Sequence, residues 1–242
     1  MDSKYEGELI LVDKPLYYSS FEVVNEFKKL VYPSKIGHAG TLDPLATGLL
    51  ILCTGKKTKI IEQIQCQEKI YTGRILLGSS TESYDLETPL LFSKDTSQIT
   101  EELVLKTVQK LTGEILQQPP AHSAVKVGGK RLYELARADK EIPARPRQVT
   151  VHEFNITKID FPTLHFKIRC SKGTYIRTLA NDIGNLLGCG ACLTSLRREK
   201  IGEFEVENAR RELWGISTSK SERLKEKVAN ANNLIYIQNT MI

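Results

Sequence analysis

The chain lacks most of the features that mark membrane, secreted and repetitive proteins. No apolar run approaches the ~18 residues of a membrane span. Charged residues interrupt the first twenty positions, so we expect neither a spanning segment nor a signal peptide. There is no internal repeat and no low-complexity tract. With 40% hydrophobic and 26% charged residues, the composition predicts a globular core rather than extended disorder.

Cysteine and histidine are also scarce. Five cysteines are an odd and sparse set for 242 residues, which favours reduced thiols and a cytoplasmic location. Cys189 and Cys192 have the spacing of a zinc or redox pair, but no second pair lies nearby and the four histidines are scattered. We therefore expect no metal site.

The net charge of +5 is unevenly placed. Residues 124–147 contain seven basic and three acidic residues, and two glycines separate Lys126 from Lys130 and Arg131. A basic, glycine-containing segment suits an RNA phosphate backbone, because each contact releases a counterion. A solvated charged face has the same composition, so the segment alone leaves both interpretations open.

Hydrophobic periodicity predicts strands and helices in irregular alternation. Ser19 and Glu22 have the spacing of a capping box, which predicts the start of a helix. Apolar and polar residues alternate most clearly at residues 164–170, where we expect a strand. Such mixing without a regular βαβ repeat favours an α/β (α+β) fold with helices packed on a mixed sheet. The other predicted elements are strands at 8–12, 69–78 and 149–159, the last with a bulge, and helices at 101–111 and from 176 to a stop at Gly188.

The segment from Gly37 to Gly48 contains three glycines and Pro44 among few charges, and we expect an unusually apolar loop. Its one carboxylate, Asp43, would be costly to bury unless a cation compensated its charge. Pro44 biases Asp43 toward an extended conformation and fixes the chain after it. Asp43 could cap a turn or the following helix, or it could take part in chemistry.

The pattern Gly-His-x-Gly-x-Leu-Asp-Pro-x-Ala-x-Gly at residues 37–48 resembles the catalytic loop of the TruB family, the tRNA pseudouridine-55 synthases. Further matches follow in order from Lys14 to Arg198, which makes the resemblance specific. It implies the pseudouridine-synthase fold, a mixed and largely antiparallel β-sheet flanked by helices and loops. The further matches are Lys14-Pro15 with Ser19-Ser20, Lys69-Ile70-Tyr71, Leu77-Gly78 with Thr81 and Asp85, Gln118–Lys126, Arg131–Arg137, Cys170–Arg177 and Leu196-Arg197-Arg198.

The resemblance implies three residues for the chemistry. Asp43 matches the catalytic aspartate, which attacks or stabilises the sugar or the base while the glycosidic bond breaks. Tyr71 matches the tyrosine that stacks on the target base, and it is a candidate for proton transfer. Arg177 matches the arginine that pairs with the aspartate, and it would supply the cation that a buried Asp43 requires.

The resemblance also implies residues that bind the base. Leu196 and Tyr175 match residues that line the base pocket, and His38 matches the histidine that helps to occupy the space left by the flipped nucleotide. The base must leave the stacked loop to be reached, and an aromatic ring replaces the lost stacking. A turn histidine bonded to the backbone is the alternative for His38.

The implied reaction is isomerisation of uridine to pseudouridine at position 55, in the TΨC loop of tRNA. It breaks an N–C glycosidic bond, rotates the uracil and rejoins it through carbon. No redox change occurs and no group is gained or lost, so we expect no cofactor and no metal. The implied partner is the TΨC stem-loop of tRNA, and we expect a monomer with no obligate protein partner and no membrane association. The candidates for holding the RNA backbone are Lys126, Lys130 and Arg131.

The chain departs from the family pattern in two places. The opening motif usually has a glycine two residues after Lys-Pro, where this chain has Tyr17, so Tyr17 would cost stability if the turn needs a positive φ. After Arg210 only 32 residues remain, too few for the RNA-binding PUA domain that many members carry. We therefore expect a catalytic domain at residues 1–210 and a short tail at residues 211–242.

Two other functions compete with this one. A non-catalytic tRNA-binding or tRNA-folding protein could use the same scaffold, although folding RNA needs none of Asp43, Tyr71 and Arg177. An enzyme of the same chemistry could act on ribosomal or guide-directed sites, but the sequence has no long lysine-rich extension of the kind such complexes suggest.

Overall fold

A computed structural model describes residues 6–31, 35–120, 123, 126–127, 130–131 and 145–210. These residues divide into two compact units: unit 1 contains those up to Thr72 and from Ser195 onward, and unit 2 contains those from Gly73 to Thr194. The strands are β1 Leu9–Lys14, β2 Ile36–His38, β3 Ala46–Thr54, β4 Lys69–Leu77, β5 Ser79–Thr81, β6 Leu90–Ser93, β7 Gly113–Gln117, β8 Lys126–Val127, β9 Lys130–Arg131, β10 Arg147–Asp160, β11 Thr163–Cys170, β12 Ala191–Ile201 and β13 Phe204–Glu205. The helices are α1 Ser20–Val31, α2 Ile61–Cys66, α3 Glu101–Lys110 and α4 Ile176–Leu187, with 3-10 turns at Gly55–Ile60 and Val206–Asn208.

Unit 1 is built around strand β3. Its strands are ordered β1-β3-β12-β4, with β2 also paired to β3 and β13 to β12. Strand β1 runs antiparallel to β3, whereas β12 runs parallel to it. Leu50 and Leu52 pack in a cluster with residues of β1 and α1, while Leu49, Ile51 and Cys53 pack in a second cluster with residues of α2 and β12. Strand β3 therefore has apolar contacts on both faces.

Helix α1 begins with the predicted capping box. The backbone N–H of Ser19 donates to Glu22 Oε2 at 2.7 Å, and the N–H of Glu22 donates to Ser19 Oγ at 3.2 Å. These two bonds satisfy donors that have no partner inside the helix. They fix the start of α1 directly beside Ser20, whose side chain reaches the Asp43 loop described below.

Unit 2 contains a sheet with strands ordered β4-β11-β10-β7, and helices α3 and α4. The predicted bulge in β10 is confirmed, because its register against β11 shifts twice, near residues 151–153 and 156–158. Thr100 caps α3 by accepting a bond from the Leu103 N–H, and Gly188 ends α4 in the left-handed region. The strands and helices that the periodicity predicted are thus present within a residue or two, in a mixed sheet that is largely antiparallel.

One expectation is wrong, and another falls on residues that the structure does not describe. The segment from Gly37 to Gly48 is a loop only at residues 39–45, because Gly37 and His38 belong to β2 and residues 46–48 begin β3. The predicted tail at residues 211–242 lies outside the described residues. Among the described residues, no helix is both long and apolar enough to cross a membrane.

Tyr17 does adopt a positive φ, of 71°. A side chain in the left-handed region costs roughly 1–2 kcal/mol, whereas glycine costs only about 0.4–1 kcal/mol through the freedom it adds to the unfolded chain. We therefore expect Tyr17→Gly to raise the free energy of unfolding by about 0.5–1 kcal/mol in urea titrations. Tyr17→Ala is the matched control, because alanine keeps the backbone penalty; a glycine variant less stable than the alanine variant would contradict the prediction.

Candidate active site

The loop that carries Asp43 is held by its own backbone. The Ala39 N–H donates to the Ile51 carbonyl at 2.8 Å, which ties the start of the loop to β3. The Ala46 N–H donates to the Asp43 carbonyl at 3.0 Å, which closes a turn around Pro44. The Tyr17 N–H donates to the Pro44 carbonyl at 2.8 Å, so the segment between β1 and α1 lies against the loop.

Ser20 fixes the residue just before Asp43. Its hydroxyl donates to the Leu42 carbonyl at 3.0 Å and accepts from the Leu42 N–H at 2.8 Å. Both side chains are buried. One hydroxyl therefore satisfies both backbone polar groups of Leu42, which would be costly to leave unpaired in the interior.

Lys14 lies beneath the loop and its side chain is fully buried. Its ammonium donates to the carbonyls of Tyr18 at 2.5 Å, Pro15 at 3.0 Å and Pro44 at 3.5 Å. Burial lowers the pKa of Lys14 from 10.5 to about 7; the charge of Asp43 opposes this shift, and that of Arg198 adds to it. The candidate carboxylate therefore has an amine that titrates near neutral pH within electrostatic range in its own unit.

Arg198 is the second buried basic residue of this region, 1% exposed. Its Nε donates to the Leu49 carbonyl at 2.7 Å, and its Nη2 donates to the Gly40 carbonyl at 3.0 Å. Gly48 lies opposite both Lys14 in β1 and Arg198 in β12. A Cβ at Gly48 would come within 2.3 Å of the Arg198 carbonyl oxygen, and its φ of +98° also favours glycine.

His38, at the end of β2, is half-buried and pairs with Leu52 of β3. Burial lowers the pKa of its imidazole, and the nearby charge of Arg198 lowers it further, while the backbone of Gly40 acts in the opposite direction. The ring is therefore mainly neutral at pH 7. A neutral imidazole both donates and accepts hydrogen bonds, which suits contact with RNA.

Tyr71 and Leu196 complete the predicted residues of unit 1. Tyr71 lies on β4 and is buried, with 8% of its surface exposed. Leu196 lies on β12 and pairs with Ala46, which follows Asp43 by three residues. The carbonyl of Leu196 accepts a hydrogen bond from the Thr47 hydroxyl at 3.4 Å. Pairing with β3 thus holds Leu196 beside the strand that follows the Asp43 loop.

Arg177 occupies a buried polar cluster in unit 2. Its Nη1 donates to the Ser83 carbonyl at 3.0 Å, and its Nε lies 3.7 Å from Asp85 Oδ2. Asp85 Oδ1 also accepts from the Ser83 hydroxyl at 2.6 Å and from the Glu87 N–H at 3.0 Å. Asp85 therefore compensates the guanidinium inside unit 2. The predicted pairing of Arg177 with Asp43 joins residues of different units and stays a prediction.

Tyr175, two residues earlier, caps helix α4. Its N–H donates to Gln117 Oε1 at 2.7 Å, and its carbonyl accepts from Gln117 Nε2 at 3.0 Å. The Gln117 side chain, only 2% exposed, thus takes both backbone groups of Tyr175. This amide fixes the backbone from which the Tyr175 ring projects.

The predicted basic segment and the cysteine pair also lie in unit 2. Lys126 pairs with Arg131, and Val127 with Lys130, in the two-stranded antiparallel sheet β8-β9, which brings the three predicted basic residues together in the backbone. Cys189 and Cys192 are buried free thiols. Burial, aided by the charge of Asp85, raises the pKa of Cys192 to about 12, which disfavours the thiolate that metals bind.

The sequence did not identify three buried residues as candidates for the site. They are Lys14 and Arg198 at the Asp43 loop, and Asp85 beside Arg177. All three lie within matched motifs, so their presence in those motifs was the available signal. Burial of Lys14, Arg198 and Asp85 at 3% exposure or less could not be read from composition.

The buried Lys14 makes stability depend on pH. Its pKa is about 7 in the folded protein and near 10.5 when unfolded, so between these values the unfolded chain binds more protons. Stability therefore rises with pH in this window, by up to about 1.4 kcal/mol per unit. We expect the free energy of unfolding of the unsubstituted protein, minus that of Lys14→Met, to increase from pH 7 to pH 10 in denaturant titrations. A difference that stays constant would contradict the prediction.

Comparison with known proteins places these residues in a family. Residues 28–176 match the TruB family pseudouridylate synthase N-terminal domain, and residues 177–226 match the tRNA pseudouridylate synthase B C-terminal domain. The chain is 52% identical over 211 residues to tRNA pseudouridine synthase B of Flavobacterium johnsoniae, covering 84% of this chain and 92% of that protein. It is 47% identical over 209 residues to the protein of the same name from Chlorobaculum tepidum, covering 84% and 87%.

A solved structure shares the fold. A chain in the crystal structure of a Cbf5-Nop10-Gar1 complex superposes with a TM-score of 0.63 at 30% sequence identity. The match covers 81% of this chain and 49% of that one, so the chain spans about half the length of its structural relative.

Proposed function

Because the chain belongs to the TruB family of pseudouridylate synthases, we propose that it isomerises uridine to pseudouridine at position 55, in the TΨC loop of tRNA. The relatives named tRNA pseudouridine synthase B support tRNA as the substrate. The observation that carries the proposal is the Asp43 loop, whose backbone is held on both sides by the buried side chains of Lys14 and Arg198.

The reaction moves one bond and one proton. The bond between uracil N1 and the ribose C1′ breaks, the uracil turns while it remains bound, and a bond forms between C5 and C1′. The proton on C5 is then lost and N1 gains one, so atoms and electrons balance without a cofactor. The residues of the site must therefore stabilise charge, hold a detached base and accept one proton.

Asp43 is the proposed carboxylate of this reaction. It is half-buried, and Leu42, Pro44 and Ala46 around it have fixed backbone bonds. A carboxylate on a rigid backbone is directed at the substrate before binding, which lowers the entropic part of the barrier. Both attack on the sugar and attack on the base are compatible with this arrangement.

Tyr71 is proposed to stack on the target uracil and to take part in proton transfer. Tyr71→Phe keeps the aromatic face and removes the hydroxyl, so we expect the affinity for a T-stem-loop hairpin to survive and turnover to fall by about 10²-fold or more. Binding titrations and single-turnover rates measure the two effects separately. Equal losses in affinity and turnover would mean that Tyr71 only shapes the pocket.

Recognition is proposed to combine phosphate contacts with base flipping. Lys126, Lys130 and Arg131 lie together on the β8-β9 hairpin, a backbone arrangement suited to phosphates, which position a substrate without reading its sequence. His38, Tyr175 and Leu196 are proposed to bind the flipped nucleotide or fill the space it leaves. Arg177, held by Asp85, is the proposed cationic partner of Asp43.

A T-stem-loop RNA hairpin tests the function directly. The protein is incubated with the hairpin, and digestion to nucleosides should reveal one pseudouridine, at the position equivalent to 55. A hairpin that lacks that uridine is the matched control. Tight binding without pseudouridine would favour the alternative, a non-catalytic tRNA-binding or tRNA-folding protein.

The proposal also covers the location, the oligomeric state and the domain boundary of the protein. A tRNA substrate and cysteines that are free thiols support a cytoplasmic location. We propose a monomer without an obligate protein partner, with the catalytic domain at residues 1–210. Sedimentation at working concentration tests the monomer, and limited proteolysis tests the boundary at residue 210.

A further inference from the structure

We propose that Arg198 is a positioning residue of the reaction: it sets the backbone on both sides of Asp43 and so directs the Asp43 carboxylate. The proposal rests on the function proposed above. Arg198 belongs to β12, and it acts on the substrate through the loop rather than by touching the reacting atoms.

The guanidinium bonds to the chain before and after Asp43. Nη2 donates to the Gly40 carbonyl at 3.0 Å and Nη1 to the Thr41 carbonyl at 3.5 Å, on the side that precedes Asp43. Nε donates to the Leu49 carbonyl at 2.7 Å, on the side that follows it. These donors lie in one rigid plane, so they fix the two sides of the loop relative to each other.

The base of the Arg198 side chain is fixed as well. Arg198 pairs in register with Gly48 of β3, and the space for a Gly48 Cβ is filled by Arg198 backbone atoms, the nearest at 2.3 Å. The strand that carries Arg198 therefore lies in close contact with the strand that follows Asp43. The backbone of Arg198 and its guanidinium are thus both held against the segment that contains Asp43.

Arg198 also sets the electrostatics around the loop. Its charge lowers the pKa of both His38 and Lys14. Removing the guanidinium should therefore raise the pKa of the His38 ring. A residue that contributed only packing would leave that pKa unchanged.

Arg197 provides a matched control in the same strand. Its guanidinium donates to both oxygens of Asp13, at 2.9 and 2.7 Å, and lies 3.3 Å from Glu199. It has the same side chain, one position away, and its bonds go to carboxylates rather than to the loop. Arg197→Met therefore removes an arginine from β12 and leaves the carbonyl bonds of the Asp43 loop in place.

The experiment compares Arg198→Met, Arg198→Lys and Arg197→Met in the full chain with a T-stem-loop hairpin. We expect Arg198→Met to lower kcat by about 10²-fold with KM within about threefold, because a misdirected carboxylate slows chemistry more than binding. The kcat of Arg198→Lys should lie between those of Arg198→Met and the unsubstituted protein, since a lysine keeps the charge but cannot bond to three carbonyls at once. Arg197→Met should keep kcat within about threefold. The pKa of the His38 ring, followed by NMR, should rise only in Arg198→Met.

Two results would overturn the proposal: a kcat for Arg198→Met within about threefold of the unsubstituted protein, or full recovery of kcat in Arg198→Lys. If Arg198→Met does not stay folded at the assay temperature, Arg198→Lys alone decides, with unfolding curves to show that it is folded. If the unsubstituted protein forms no pseudouridine, the proposed function fails. In that case the amide exchange of residues 39–45 still tests whether Arg198 fixes the loop.

Discussion

Replacing Asp43 by Asn is expected to lower turnover by more than about 10³-fold, which corresponds to ~4 kcal/mol of barrier. The amide has the shape of the carboxylate and can keep the loop in place, but it carries no negative charge and is a poor nucleophile. The backbone bonds of Leu42, Pro44 and Ala46 hold the loop in either variant, so the fold should persist. Binding of a T-stem-loop hairpin should survive, because the proposed phosphate contacts lie elsewhere.

Single-turnover rates and binding titrations on the same hairpin measure both parts of this prediction. Asp13→Asn is the matched control, since Asp13 is a carboxylate of the same unit that is paired with Arg197. It should lose some stability and keep most of its turnover. A near-normal rate for Asp43→Asn would remove Asp43 from the chemistry and return it to the role of a turn residue.

Local signals in the sequence were sufficient for several elements of the fold. The capping box of Ser19 and Glu22 lies within four consecutive residues, and its two bonds are formed. Strand β11 alternates between buried and less buried residues, as expected where one face packs on a core. In both cases the residues that decide the structure are neighbours in the chain.

Strand β3 could not be recognised in the same way. Apolar clusters cover both of its faces, so residues 49–52 form a continuous apolar run without alternation. The glycines before this run are typical of a loop, so the sequence predicts a loop as far as Gly48. Gly48 is a strand residue instead, and its lack of a side chain allows the close approach of Arg198.

The place of Arg198 in the site and the partners of Arg177 inside unit 2 also escaped prediction, because these contacts join residues that are distant in sequence. Arg198 bonds to a carbonyl 149 positions away, and Arg177 to one 94 positions away. Such contacts depend on strand register and helix placement, which the sequence pattern does not specify. The resemblance to a family supplied Asp43, Tyr71 and Arg177 as candidates, and their catalytic roles remain predictions.

Replacing Arg177 by Met is expected to abolish most of the turnover and to lower the free energy of unfolding by about 3–5 kcal/mol. The guanidinium side chain is 3% exposed, and its loss leaves the buried carboxylate of Asp85 without its cationic neighbour in unit 2. Urea titrations measure the loss of stability, and single-turnover rates measure the loss of chemistry. Arg169→Met is the surface control, because Arg169 pairs with the exposed Glu153 and should cost no more than about 1 kcal/mol.

A double substitution separates the two roles of Arg177. Adding Asp85→Asn to Arg177→Met removes the uncompensated charge, while the Ser83 hydroxyl can still bond to the side-chain oxygen of Asn. Stability should therefore recover in part, by about 1–3 kcal/mol. Turnover should not recover, because the proposed cationic partner of Asp43 is still missing. If turnover returned together with stability, Arg177 would serve only to hold the 83–88 turn in place, and Lys14, whose charge interacts with that of Asp43, would become the proposed partner of the carboxylate.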